Sequence, residues 1–280
     1  MSNPWLAEVE MLEEMEKVGR EAIFQAGDLI RRRIGSAPVL NIQAKGPSDY
    51  VTETDRESER LIVDSIRKNF PDHQIMAEES SNIELDDKIT WIIDPLDGTT
   101  NFIHGFPFVA VSIAVCIKKE IVVGLVLDPI RRELFSARKG NGARLNGSLI
   151  RMEQSCALDS ALIATGFPFR AKYLLDPYLS TFRDVFYRVG GIRRAGSAAL
   201  DLAYVSAGRV DGFWEAGLKP WDVAAGSLLI VEAGGQVDDF WGAGRYLQNG
   251  HIVAGVKSVH SFLLDQVQKH LAPALSNFEL

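Results

Sequence analysis

One stretch constrains this chain more than any other: Trp91-Ile92-Ile93-Asp94-Pro95-Leu96-Asp97-Gly98-Thr99-Thr100-Asn101. An apolar run ends in an acid, a second acid follows three residues later, and a glycine and two threonines come next. The pattern predicts a buried strand over Trp91–Ile93, a turn forced by Pro95 and a helix start at Gly98–Asn101. Two carboxylates then stand where a strand ends and a helix begins. The first N–H groups of a helix lack partners within it, so that place accepts a phosphate. Carboxylates beside an anion cradle repel the anion unless a hard divalent cation lies between them, and carboxylate plus phosphate oxygen suits Mg2+. The same residues also fit a plain polar turn with an Asp cap, so the rest of the chain has to decide.

Five acids recur at the boundaries of predicted elements: Asp55, Glu78, Asp94, Asp97 and Asp222. A helix from about Thr54-Asp55 to Phe70 opens with Thr54 and Glu57 placed as a capping box. His73 to Ala77 reads as a short strand, and Glu78-Glu79-Ser80 follows it directly. Asp222 lies in the first turn of a helix over Trp221–Ala233. Each acid has a structural reading of its own. A first-turn Asp favours the positive end of its helix, and Glu78-Glu79 fits a solvated loop pair. Asp94 is harder to explain away, because it follows Trp-Ile-Ile and should be partly buried, where a carboxylate needs a cation or several donors. If the five converge, they form a nest for two or three Mg2+ ions and a phosphoryl-transfer site.

The remaining pattern places this stretch in a layered chain. Leu6 to Ile30 recur at helical spacing, and Arg31-Arg32-Arg33 suit the helix end. Pro38 to Thr54 reads as a hairpin or extended loop. Phe108 to Ala137 reads as an antiparallel meander, with a short strand around Gly142–Leu145. Beyond it, strands at Ala161–Thr165, Ile192–Arg194, Val210–Trp214, Gln236–Asp238 and Ile252–Ala254 alternate with helices. These helices run over Leu174–Val189, Ser197–Ala207 and Trp221–Ala233, with a last one at Val259–Leu271. The change near residue 150 predicts two halves, 1–150 and 151–280, packed as one unit with a cleft between them.

Composition narrows the function classes. Thirty Lys and Arg against 37 Asp and Glu give 280 residues a net charge of -7, a poor balance for a general nucleic-acid binder. The longest apolar run, Phe106–Ile117, is too short for a bilayer. The first residues lack the basic start and apolar core of a signal peptide. Cys116 and Cys156 sit in apolar contexts without a CxxC, as buried thiols of a reducing compartment. Together these features predict a cytoplasmic protein with no membrane segment. His104, just past the central stretch, reads as structural, and Trp91, Trp221 and Trp241 as packing residues.

Glu78-Glu79-Ser80, the Trp91–Asn101 stretch, Trp221-Asp222-Val223-Ala224-Ala225-Gly226 and Glu232-Ala233-Gly234-Gly235 together resemble the inositol monophosphatase family over nearly the whole chain. Gly166-Phe167-Pro168-Phe169, Gly196–Tyr204 and Ala207–Gly212 look more like its bacterial SuhB branch than its animal members. The resemblance implies an α/β fold, a layered αβαβα sandwich of the inositol monophosphatase and fructose-1,6-bisphosphatase type, usually as a homodimer. It also implies Mg2+-dependent, Li+-sensitive hydrolysis of myo-inositol monophosphates. Carried onto this chain, Glu78, Asp94 and the Leu96 carbonyl hold one metal, and Asp94, Asp97 and Asp222 a second, with a third ion near Glu78. Thr99 and Asp55 position and deprotonate the attacking water. The Gly98 and Thr99 N–H groups hold the phosphate, and Asp97, Ser197, Ala198 and Glu215 lie near the alcohol. Lys219 stands where animal members have His, and the Gly166 segment differs from theirs. Other phosphates therefore stay open as substrates: fructose 1,6-bisphosphate, 3'-phosphoadenosine 5'-phosphate or NADP. A second class also stays open. SuhB-type proteins resemble a transcription antitermination factor that works with RNA polymerase, and Arg31–Arg33, Arg131-Arg132 and Arg193-Arg194 offer basic contacts for that role.

Overall fold

The computed structural model describes residues 4–35, 43–46, 49–80, 83 and 85–276. Helix α1 (Pro4–Arg33) buries Met15, Val18, Ala22, Ile23, Ala26, Leu29 and Ile30, a stripe at three- and four-residue spacing. Strands β1 (Gln43–Gly46) and β2 (Asp49–Val51) form an antiparallel hairpin, as the sequence predicts. The rest of the expected Pro38–Thr54 loop is only partly within the described residues.

Helix α2 (Glu53–Asn69) corrects one expectation. Its cap is Thr52 and not Thr54. The Thr52 hydroxyl accepts from the N–H groups of Thr54 (3.1 Å) and Asp55 (3.4 Å), and Asp55 Oδ2 accepts from the Thr52 N–H at 2.9 Å. Aspartate at the third helical position closes a capping box as glutamate does. Glu57, freed from that task, pairs with Arg33 of α1 at 2.7 Å.

Seven strands follow: β3 (Gln74–Ala77), β4 (Thr90–Asp97), then, after helix α3 (Thr99–Ile103), β5 (Ala110–Ile117), β6 (Glu120–Asp128), β7 (Glu133–Arg138), β8 (Ala143–Leu145) and β9 (Ser148–Ile150). They pair in chain order in one sheet, parallel at β3–β4 and antiparallel from β4 onward. Strand β9 is an addition to the expected meander. Pro95 does not end β4. The strand runs on to Asp97 through a bulge, where Asp94 pairs with Ser112 and Asp97 with Ala110, three steps on one strand against two on the other. Proline lacks a ladder donor and is at home in such a bulge.

The second sheet is built from β10 (Leu162–Thr165), β11 (Gly191–Arg193), β12 (Gly212–Glu215), β13 (Gln236–Asp238) and β14 (Ile252–Gly255). Its order is β11-β10-β12-β14-β13, parallel across the first three strands and antiparallel across the rest. Between these strands run α4 (Leu175–Phe186), α5 (Ala198–Ser206), α6 (Pro220–Glu232) and a short α7 (Tyr246–Asn249). The last helix, α8 (Lys257–Ser276), carries Pro273 in its final turn, which leaves the Lys269 carbonyl without the N–H that a residue other than proline would supply.

Five layers result. Helices α1 and α2 cover one face of the seven-stranded sheet; α5 and α6 lie between the sheets; α4 and α8 cover the far face of the five-stranded sheet. The middle helices are apolar nearly all round, as a doubly covered helix must be, and small residues let the layers close up. A Cβ on Gly124 of β6 would lie 2.8 Å from the Ala225 carbonyl of α6. The architecture is the αβαβα sandwich that the resemblance implies. Among the described residues no helix is long and apolar enough to cross a membrane.

Candidate functional site

A cleft of about 580 Å³ opens where β4 ends and α3 begins. One wall comes from the first sheet: Glu78 after β3, Asp94, Leu96 and Asp97 of β4, and the Gly98-Thr99 turn. The other comes from the second: Ser197 and Ala198 at the start of α5, Glu215 at the end of β12, and Asp222 in the first turn of α6.

The β4 bulge makes the acid cluster. On a regular strand, residues three apart face opposite sides. The extra residue between Asp94 and Asp97 returns both to one side. Together with Asp222 they present carboxylate oxygens within 4.8 Å of one another. Each acid is also held from behind. Asp94 Oδ1 accepts from the Leu96 N–H at 3.0 Å. Asp97 Oδ2 accepts from the Ser197 hydroxyl (2.6 Å) and the Ala199 N–H (2.8 Å), so it ties β4 to the start of α5. Asp222 Oδ2 accepts from the Lys219 N–H at 2.6 Å. Glu78 lines the same cleft outside this tight group, close enough for its charge to act on Asp94.

Burial, then the charges of Glu78, Asp97 and Asp222, hold the Asp94 carboxyl well above the usual carboxylate range. Asp97 is pushed up to about 7 by burial and by Asp222, against its hydrogen bonds from Ser197 and Ala199. Burial also raises Asp222. Such crowding favours protons or a cation. The donors are carboxylate and carbonyl oxygens, and this all-oxygen set fits a hard divalent ion.

Behind the cluster, Thr99 of α3 holds its hydroxyl 2.9 Å from Asp55 Oδ1 and 3.2 Å from the Leu96 carbonyl oxygen. Asp55 is fully buried and reaches the cleft only through Thr99; burial raises its carboxyl despite the Thr52 and Thr99 bonds. Gly98 has φ 90°, and a Cβ there would meet the carbonyls of Phe108 (3.1 Å) and Gly196 (3.2 Å). This turn therefore needs glycine both for its conformation and for space. Glu215 packs flat on Gly166, where a Cβ would lie 1.9 Å from its carboxyl carbon, and burial pushes it up to about 8.

Several residues here went unread in the sequence. Arg170 lines the cleft, and its charge acts on Asp97, Glu215 and Asp222. Arg194, read as part of a basic patch, stacks its guanidinium over Phe167 (5.6 Å) and Phe169 (5.2 Å) at the cleft wall. Asn101 donates to the carbonyls of Phe108 (2.7 Å) and Ala195 (2.9 Å), latching the first sheet's turn to the loop before α5. Asp201 lies buried in α5, raised well above the usual range by burial and by Glu215. The Gly166-Phe167-Pro168-Phe169 motif marked the Arg170 segment. For Arg194 and Asp201 the only signal was their neighbours in chain.

His104 is the C-terminal cap of α3, exposed at the cleft rim. Two smaller expectations change. Cys116 is buried as expected, its thiol pushed up to about 11 by burial, whereas Cys156 is half-buried and its backbone N–H donates to the Ser258 hydroxyl at 3.1 Å. Of the basic runs, Arg31 pairs with Asp28 and Arg131 with Asp128. Trp91 packs in the core, its Nε1–H donating to His73 at 3.1 Å.

The fold and this cleft together define a phosphatase-type layered sandwich. The profile of the inositol monophosphatase family matches residues 11–272. The chain is 49% identical over 269 residues to Nus factor SuhB of Pseudomonas aeruginosa, covering 94% of this chain and 99% of that one. Among solved structures, the extragenic suppressor protein SuhB of Bartonella henselae superposes with a TM-score of 0.87 at 42% identity, over 92% of this chain and 100% of its own. An inositol monophosphatase from Anabaena superposes at 0.81 and 35% identity, over 94% and 99%. The chain belongs to the inositol monophosphatase family.

Proposed function

We propose that this chain is a Mg2+-dependent phosphomonoesterase that hydrolyses myo-inositol monophosphates to inositol and phosphate. The observation that carries this reading is the convergence of Asp94, Asp97 and Asp222 within 4.8 Å, beside the Thr99–Asp55 pair. Two to three Mg2+ ions would bind there: one on Glu78, Asp94 and the Leu96 carbonyl, one on Asp94, Asp97 and Asp222, and a weaker one near Glu78. When bound, the ions neutralise phosphoryl charge, lower the pKa of a bound water and stabilise the departing alkoxide.

The chain's own residues do the rest. Asp55 accepts the Thr99 O–H, so the Thr99 oxygen can accept a hydrogen bond from a water in line with the phosphate, and as that water gives up its proton to Thr99, Thr99 passes its own to Asp55. The bare Gly98 backbone lets the phosphate approach the N–H groups of Gly98 and Thr99. Asp97 spends one oxygen on Ser197 and Ala199, which sets the α5 start and Ala198 against the alcohol. Glu215 faces the alcohol from the same wall, where a protonated carboxyl can donate to a hydroxyl and an ionised one can accept. The two halves, 1–150 and 151–280, act as one unit, since each supplies acids to the cluster.

Phosphate release should be measured across inositol 1-phosphate, fructose 1,6-bisphosphate, 3'-phosphoadenosine 5'-phosphate and NADP, with Li+ as inhibitor. Equal or better turnover of a bisphosphate overturns the choice of substrate.

The name of the Pseudomonas relative favours a second reading, a partner of RNA polymerase and antitermination factors. Pull-down with those proteins, comparing wild type and Asp94→Asn, separates the two: capture that survives loss of catalysis marks an independent role. We also assign a homodimer and a cytoplasmic site. Leu175, Leu179 and Phe186 leave an apolar face of α4 exposed that a second copy would cover, and both cysteines are free thiols. Sedimentation of a monomer alone at micromolar concentration removes the dimer.

A further inference from the structure

We propose that His251 is a positioning residue: its imidazole holds the turn over residues 216–219, which walls the cleft and delivers Asp222 to the acid cluster.

Four residues, 216–219, join Glu215 at the end of β12 to the start of α6, and Ala216, Gly217 and Leu218 line the cleft. A turn this short between two site residues fixes both. Its three successive N–H groups are held from three directions. Gly217 donates to His251 Nδ1 at 3.2 Å, Leu218 to the Gly250 carbonyl at 2.8 Å and Lys219 to Asp222 Oδ2 at 2.6 Å. The segment that carries His251 is pressed against the turn, since a Cβ on Gly250 would lie 2.0 Å from the Leu218 carbonyl oxygen.

His251 is itself over-determined. Its ring stacks on Phe240 (centroids 5.3 Å apart, planes at 26°) and tilts against Trp241 at 5.8 Å. Its N–H donates to Asn249 Oδ1 at 3.0 Å, and the Asn249 amide donates to Asp239 Oδ2 at 2.9 Å. Asp239 is fully buried and collects the N–H groups of Trp241 (3.1 Å) and Ala243 (2.7 Å) on its other oxygen. A line of hydrogen bonds therefore runs from a buried carboxylate to the cleft wall. Because Gly217 donates, Nδ1 carries the lone pair and the ring proton sits on Nε2. Burial pushes the imidazole down to about 4 against the pull of Asp239, so that lone pair is available at neutral pH.

The test compares three variants by amide hydrogen exchange over residues 216–219 and by steady-state kinetics; the kinetic arm rests on the phosphatase reading. Asparagine places an acceptor where Nδ1 stands, glutamine places it one methylene too far, and phenylalanine keeps the stacking without an acceptor. His251→Asn should exchange at the wild-type rate. His251→Gln and His251→Phe should speed exchange about tenfold and raise KM about fivefold, with kcat changed less than about twofold, the size of one lost hydrogen bond. Should His251→Phe fail to fold, the Asn–Gln pair decides alone. Equal exchange in His251→Asn and His251→Gln overturns the clamp. Exchange is read without metal or substrate. A protein that hydrolyses nothing yet shows the predicted exchange keeps the clamp and sinks the phosphatase reading. One that turns over phosphate with wild-type exchange in His251→Gln does the reverse.

Discussion

Asp94 is costly to bury and central to the site, and these two facts belong together. Its carboxyl sits in the core end of β4 with three other acids around it, and one N–H answers it. Asp94→Asn keeps the shape and the Leu96 hydrogen bond but removes the charge. Mg2+-dependent turnover should fall by at least about a thousandfold, the several kcal/mol that metal-centred charge stabilisation supplies. In the presence of a chelator the variant should melt at or above the wild-type temperature, because a repulsion has gone. Near-normal turnover, or a melting point several degrees lower, would remove Asp94 from the proposed role. At this scale the sequence was informative: an acid straight after Trp-Ile-Ile is a buried acid. What the sequence did not give was convergence. Three-residue spacing on a strand puts Asp94 and Asp97 on opposite sides, and nothing short of the β4–β5 register reveals the bulge that brings them back. Arg194 shows a related limit. A pair of arginines has the same local pattern whether or not one of them lies on Phe167 and Phe169, two residues brought alongside by the fold.

At the scale of elements, the start of α2 matters most, because its capping box also holds Asp55. Thr52 and Asp55 satisfy each other's backbone donors, and Asp55 then has one oxygen left for Thr99. Thr52→Ala should cost about 1 kcal/mol in urea denaturation, the usual worth of an N-cap. It should also lower activity, since Asp55 loses a neighbour that fixes its rotamer. Thr54→Ala should cost less than half as much, because the Thr54 hydroxyl takes only a long bond from Arg33. The reverse order would restore Thr54 as the cap. Capping signals were legible to within two residues, which was enough to find the helix and not enough to find the box. Three helices were read with nearly correct limits: α1 from its periodic stripe, and α5 and α6, apolar nearly all round, from the residues that bound them, Ser197 and Gly208 for the first and Gly234-Gly235 for the second. The short pieces, β9 and α7, were not read, since three or four residues carry too little pattern to stand out. Helix α8 runs two residues earlier and five later than the expected Val259–Leu271, passing through Pro273 to Ser276.

At the scale of the whole molecule, the two halves meet across an acid-rich seam, and that seam should make stability depend on pH and on Mg2+ together. Asp97 is raised to about 7 and Glu215 to about 8. A carboxyl whose folded pKa lies above its unfolded value binds its proton more tightly when folded. Its stabilising contribution is therefore complete below about pH 4 and is lost as pH rises through the folded pKa. Buried His251, pushed down to about 4, works the other way: its contribution is complete above about pH 6.5 and is lost as pH falls toward 4. The two effects separate on the pH axis. Between about pH 6.5 and 8.5 the histidine term is flat and only the carboxyls titrate. In that window the protein in EDTA should lose a few degrees of melting temperature with rising pH. Glu215→Gln should remove the upper part of the slope, near pH 8, and leave the part near pH 7. Saturating Mg2+ should abolish the part near pH 7, because a cation on Asp97 and its neighbours replaces the proton they would otherwise need. Scanning calorimetry at half-unit pH steps, with and without Mg2+, reads all three. A melting temperature that rises with pH in EDTA would mean that the acids are already neutralised by the chain's own cations, Arg170 foremost, and that the cluster does not need a metal to be stable.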